Sequence, residues 1–199
     1  MALLGTFAHM LGKRGLKNLC ELWAVASVLL LAVVLESPAQ AAPPAEYQLK
    51  AIFLFNFAQF VEWPPEAFPE ANTPLIIGVL GEDPFGAYLD QTVRGEKVND
   101  RLLAVQRYRR VDEIKTCHIL FISQSEANRL EPIFTSLKGR NTLTVGDAVG
   151  FARRGGMIRF VTEKNKIRLR INLEAAKAAN LTISSKLLRP AEIVEPGKD

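Results

Sequence analysis

Cysteine and histidine are nearly absent, with 2 of each among 199 residues. No CxxC, HxxxH or HExxH spacing occurs, which leaves no cage for a structural zinc ion. Charge of one sign is scarce too: 25 Lys and Arg stand against 21 Asp and Glu. The resulting +4 is dispersed along the chain and does not make the basic footprint of a nucleic-acid binder. No Walker A loop or GxSxG elbow is present, and Gly78, Gly81 and Gly86 lack the GxGxxG spacing of a dinucleotide turn. His118 opens an apolar strand, where a histidine is structural more often than it is a general base. The inventory therefore reads as binding without turnover: no catalytic residue, no cofactor, no metal. A hydrophobic fraction of 48%, a charged fraction of 23% and a mean hydropathy of +0.08 describe a globular chain and exclude a disordered or multi-pass membrane protein.

The first forty residues read as an address. Lys13, Arg14 and Lys17 precede an apolar run from Leu22 to Leu35, and Ala39-Gln40-Ala41 supplies small residues at the −3 and −1 positions of a cleavage site. Fourteen apolar residues are too few for a membrane span, which needs about 20. The expectation is a signal peptide over 1–41 and one exported, periplasmic domain over 42–199. Cys20 would leave with the signal. The only cysteine then remaining is Cys117, in the run Cys117-His118-Ile119-Leu120-Phe121-Ile122, which reads as a buried, inert thiol.

Glu46 to Trp63 contains neither Gly nor Pro and ends at Pro64-Pro65, which predicts one amphipathic helix. At 100° per residue from Gln48, Leu49, Phe60, Phe53, Phe57, Val61, Leu54, Ala58 and Ala51 fall on an arc of about 200° that should face the core. Gln48, Gln59, Asn56 and Glu62 lie on the opposite stripe, yet Ile52 and Phe55 lie among them. That stripe, with Gln59 and with Trp63 at its end, is the candidate partner-binding surface: Ile52, Phe55, Gln59 and Trp63.

From Pro74 the pattern alternates strand, turn and helix. Leu75–Leu80, Leu102–Tyr108, Cys117–Ile122 and Leu143–Val145 are apolar runs that predict a mostly parallel sheet flanked by helices. Asp83 is placed to cap a helix starting at Pro84, and Ser123 with Glu126 has capping-box spacing. Turns containing Asp83, Ser123 and Gly146-Asp147 should share the sheet edge where open α/β sheets bind ligands. Met157–Thr162 and Lys166–Ile171 alternate with period 2 about Lys164-Asn165, which predicts a β-hairpin near the C-terminal end. A two-residue turn pairs Ile158 with Ile171, Phe160 with Leu169, and Arg159 with Arg170. Like charges directly opposed destabilise a hairpin. With Arg153 and Arg154 nearby, the cluster calls for carboxylates from elsewhere in the fold or for an anion from outside. Arg153, Arg154, Arg159, Arg170, Ser123 and Asp83 are accordingly the candidate ligand-binding residues. A short Ala-rich helix, Leu173 to Asn180, follows.

Five collinear blocks resemble one known family. They are Tyr47 to Pro64; Ile77-Gly78-Val79-Leu80-Gly81-Glu82-Asp83-Pro84-Phe85-Gly86; Cys117 to Ser123; Gly150-Phe151-Ala152-Arg153-Arg154-Gly155-Gly156-Met157-Ile158; and Leu181 to Leu188. Together they are similar to the YfiR family of periplasmic regulators, over roughly residues 46 to 193. The resemblance implies a periplasmic α/β domain that represses a membrane-bound diguanylate cyclase through its periplasmic portion, so lowering cyclic di-GMP, and that tends to form homo-oligomers. Relatives beside other membrane sensors, such as kinases, leave the partner's identity open. The alternative is a periplasmic binder of a small anion or other small molecule that feeds a sensor kinase or transporter.

Overall fold

The computed structural model describes residues 44–70, 72–164 and 166–195. The expected signal segment 1–41 lies outside the described residues. The elements are α1 (Ala45–Phe60), β1 (Val61–Glu62), β2 (Leu75–Leu80), α2 (Ala87–Val93), β3 (Lys97–Val98), β4 (Arg101–Tyr108), β5 (Ile119–Ile122), α3 (Leu130–Leu137), β6 (Leu143–Gly146), β7 (Ile158–Glu163), β8 (Lys166–Ile171), α4 (Leu173–Ala178), β9 (Thr182–Ile183), α5 (Ser185–Leu188) and β10 (Glu192–Ile193). No helix among the described residues is long and apolar enough to cross a membrane.

Eight strands form one sheet in the order β10-β8-β7-β6-β5-β2-β4-β3. The central pairs β4–β2, β2–β5, β5–β6 and β6–β7 are parallel. All six residues of β2 are buried, as a strand covered on both faces requires. Its side chains alternate between two cores. Leu75, Ile77 and Val79 enter the larger one with Leu54 and Phe57 of α1, Leu89 and Val93 of α2, and Ala176 of α4. Ile76 and Leu80 enter the smaller one with Leu130, Ile133 and Leu137 of α3. The fold is therefore the layered, mostly parallel α/β domain that the sequence pattern predicts. The hairpin is also as expected. β7 and β8 pair antiparallel with Ile158 opposite Ile171, Arg159 opposite Arg170 and Phe160 opposite Leu169.

Four local expectations are corrected. The first helix stops at Phe60, and Val61 and Glu62 instead form a short strand with Ile183 and Thr182. Val61 is β-branched and Trp63 precedes a proline, so both favour extended backbone. Leu49, placed on the core arc, is 42% exposed, and the deeply buried residues Lys50, Leu54, Phe57, Ala58 and Ala51 mark a narrower arc. Asp83 does not cap a helix at Pro84: its Oδ1 accepts the Phe85 N–H at 2.8 Å in a tight turn, and α2 begins only after Gly86, whose φ is 53°. Ser123 caps the N–H of Ser125, but Glu126 does not complete a capping box. Its carboxylate is drawn instead to Arg129, at 2.6 Å.

Candidate functional site

Lys50 is the least expected residue of the first helix. Its side chain is only 2% exposed, yet it carries an ammonium group. Two carboxylates hold it, Asp147 at 2.7 Å and Glu46 at 2.6 Å, and the ring centroid of Tyr47 lies 4.2 Å from Nζ. Tyr47 donates its hydroxyl to the same Asp147 oxygen, Oδ2, at 2.9 Å. Burial first, then this hydrogen bond to a carboxylate, raise the Tyr47 pKa above the ordinary phenol value. Lys50 holds the Glu46 carboxyl below its ordinary value, and Thr162 of β7 donates to Glu46 at 2.9 Å. The start of α1 is thus tied to the ends of β6 and β7 through charge. Sequence reasoning passed over this seam. Lys50 lies at about 200° on the helical wheel, the middle of the apolar arc, and that phase was the available signal.

The four candidate partner residues meet different surroundings. Ile52 is 40% exposed and Gln59 is exposed as well. Phe55 is partly buried and packs against the larger core. Trp63 donates its indole N–H to the His118 carbonyl at 3.2 Å and lies edge-on to the imidazole. The outward apolar surface of α1 therefore consists of Ile52 and Leu49, with Gln59 beside them.

The turns after β2 and β5 do share one sheet edge. Helices α2 and α3, which follow them, pack on opposite faces of the sheet, and this divergence opens a crevice in other doubly wound folds. Here the two turns are joined. The Glu82 N–H donates to Ser125 Oγ at 3.0 Å, and a Cβ on Gly81 would lie 2.4 Å from that oxygen. Asp83 accepts from Arg107 Nε at 2.7 Å, while Ser123 is buried and serves as a cap.

The arginine cluster separates in the same way. Arg154 forms a two-pronged pair with Glu131, at 2.8 and 2.9 Å, and donates to the Ala127 carbonyl. Arg170 meets Glu192 at 2.9 Å and Glu163 at 3.8 Å. Arg153 also has an interaction of its own. Arg159 differs: its Nε is buried without a partner, and it forms no hydrogen bond or ion pair among the described residues. Burial and then the charges of Arg170 and Arg153 push its pKa below the ordinary arginine value, against the pull of Asp147.

His118 and Cys117 lie at the opposite sheet edge. The imidazole Nδ1 accepts the Ile76 N–H at 3.0 Å, so Nε2 carries the hydrogen and donates to the Ala67 carbonyl at 3.0 Å. Phe68 stacks on the ring at 4.4 Å and takes the Arg101 guanidinium on it at 4.1 Å. Both nitrogens of a neutral ring are in use, which is a structural role. Burial is the main reason that the His118 pKa is below its ordinary value. Burial likewise pushes the Cys117 thiol up to about 12.

A family model described as YfiR/HmsC-like matches residues 47–192. No curated protein matches the chain. Among solved structures, the ABC domain in complex with L-Trp from Streptococcus pneumonia is 11% identical, with a TM-score of 0.46 over 60% of this chain. This chain spans 55% of the length of that structure.

Proposed function

The chain belongs to the YfiR/HmsC-like family, and on that premise we propose that it is a periplasmic repressor of a membrane-bound diguanylate cyclase. It binds the cyclase's periplasmic portion and so lowers cyclic di-GMP. The observation that carries the reading is the match over residues 47–192, which spans the domain from α1 to β10. The apolar run before Ala41, too short for a span, supports a periplasmic address. The contact surface is the outward side of α1, where Leu49 and Ile52 are 42% and 40% exposed beside Gln59. Phe55 supports that surface from beneath, and Trp63 fixes its end. A second copy of the chain is the other partner of this surface, in keeping with the family's tendency to self-associate.

The test is cyclic di-GMP in cells carrying this chain with the cyclase encoded beside it. Ile52→Asp should leave the protein folded, because the side chain is outside both cores, and should release the cyclase, because an unpaired carboxylate in an interface is costly. Phe57→Asp, in the core, should abolish folding and marks that outcome. If Ile52→Asp and Leu49→Asp both fold and both still hold cyclic di-GMP at the parent level, α1 is not the contact surface. If deletion of the chain leaves cyclic di-GMP unchanged, the regulatory reading fails.

A further inference from the structure

The β7–β8 hairpin is covered on one face only. Ile158, Phe160, Leu169 and Ile171 point into the larger core, whereas no residue of either strand belongs to the smaller core on the opposite face. That second face carries Arg159, Val161 and Glu163 from β7 with Lys166, Arg168 and Arg170 from β8. Arg159 is partly buried and Arg168 is exposed, and neither has a hydrogen bond or ion pair among the described residues. Arg159 lies directly opposite Arg170 and two pairs along from Arg168, its diagonal neighbour on the same face. In antiparallel geometry the diagonal neighbours are about 7–8 Å apart, within reach of two long side chains converging on one group.

We propose that this uncovered face binds a tetrahedral oxyanion of the phosphate or sulfate class, with Arg159 as its anchor and Arg168 beside it; Arg170, already engaged by Glu192 and Glu163, contributes charge and not a free fork. Charge is the first reason. A partly buried guanidinium beside two others costs free energy until an anion joins it. Among the described residues the acidic group acting on Arg159 is Asp147; its Oδ2 is held by Lys50 and Tyr47, and its Oδ1 is buried without a hydrogen bond, as Arg159 Nε is, so the two do not satisfy each other. Geometry is the second. With Nε occluded, Arg159 offers its two Nη groups, and guanidinium forks from different directions suit an ion with four oxygens better than a carboxylate with two. This narrows the arginine cluster: Arg154 is satisfied by Glu131, and Asp83 and Ser123 lie at a different edge. It stands independently of cyclase repression.

The experiment is thermal denaturation of the purified chain in chloride, phosphate and sulfate at matched ionic strength and pH, with titration calorimetry using inorganic phosphate. Phosphate and sulfate should raise the midpoint above that in chloride. Arg159→Gln should remove this response and weaken phosphate binding roughly tenfold or more, while being at least as stable as the parent in chloride because a like charge has gone. Arg109→Gln, which removes the same charge from an exposed site, should respond as the parent does. Equal midpoints in the three salts, or an undiminished response in Arg159→Gln, would overturn the site. Binding to phosphatidylglycerol but not phosphatidylcholine vesicles, lost in Arg159→Gln, would place the oxyanion on a lipid headgroup. A phosphate response without vesicle binding would identify the free ion.

Discussion

Lys50 and Asp147 lie 97 residues apart in the chain and meet at 2.7 Å in the protein interior. Each is placed by a different logic, Lys50 by the phase of a helix and Asp147 by the turn after a parallel strand. Together they fasten the first element of the fold to the carboxyl edge of the sheet. Asp147→Ala leaves Lys50 with Glu46 alone and Tyr47 without its acceptor, so it should cost about 1–3 kcal/mol. Lys50→Met combined with Asp147→Leu should recover most of that loss, since a buried pair can be replaced by apolar groups of similar size. Urea denaturation of the single and double variants measures the coupling. Additive losses would mean that the two side chains do not act as a pair.

Phe151 is gripped by two glycines. A Cβ on Gly156 would lie 2.2 Å from its ring, and one on Gly146 would lie 2.5 Å from it. The ring also meets Phe134 edge-on at 5.3 Å, so it has little freedom to retreat. Gly156→Ala should therefore destabilise by about 1–3 kcal/mol, the usual penalty of overpacking. The same change in a Phe151→Leu background should cost less. A Gly156→Ala protein with unchanged denaturant midpoint would contradict the grip.

His118 sets a pH dependence whose sign is definite. Its pKa is lowered in the folded protein, so between the folded value and about 6.5 the unfolded chain binds the proton more readily. Stability is complete above about pH 6.5 and falls as the pH drops through the unfolded value towards the folded one. The protonated ring would point an Nδ1 hydrogen at the Ile76 N–H. Denaturant midpoints from pH 7.5 down to pH 5 should decline in the parent and stay nearly level in His118→Asn, which keeps an acceptor but no titrating ring. Parallel declines would assign the effect to other groups.

Cys117 is buried and free of any disulfide, with a thiol pKa of about 12. The thiolate is the reactive species, so alkylation at pH 8 should be slow in the native protein and fast in urea. Rapid native labelling would show that β5 opens readily at its start.

Much of the fold was legible because its signals are local. The period-2 alternation around Lys164-Asn165 set the hairpin register, down to Arg159 opposite Arg170. Continuous apolar runs revealed the central strands, since a strand covered on both faces has no polar side to show. The site was less legible because its interactions are distant. Lys50 resembles any solvated lysine until Asp147 is brought to it, and nothing near Arg154 in sequence announces Glu131. Leu49 falls on the inward arc of the wheel yet is exposed, because wheel phase cannot reveal how wide a face the sheet will cover. Helix α2 starts late because Asp83 is engaged twice, by the Phe85 N–H and by Arg107.

The strand order also sets a timetable. Helix α1 is made first, yet Phe57 stacks against Phe160 of β7, with ring centroids 5.8 Å apart, and Lys50 waits for Asp147. During synthesis from the N-terminus, β2 and α2 arrive soon after α1 and cover part of its apolar side, whereas the partners supplied by Asp147 and Phe160 come only later. Parallel pairings of such long range form slowly, and partly made chains with uncovered apolar surface are prone to aggregate. Until β6 and β7 arrive, β2, α2 and β5 are among the elements already made that share a core with Leu54 and Phe57.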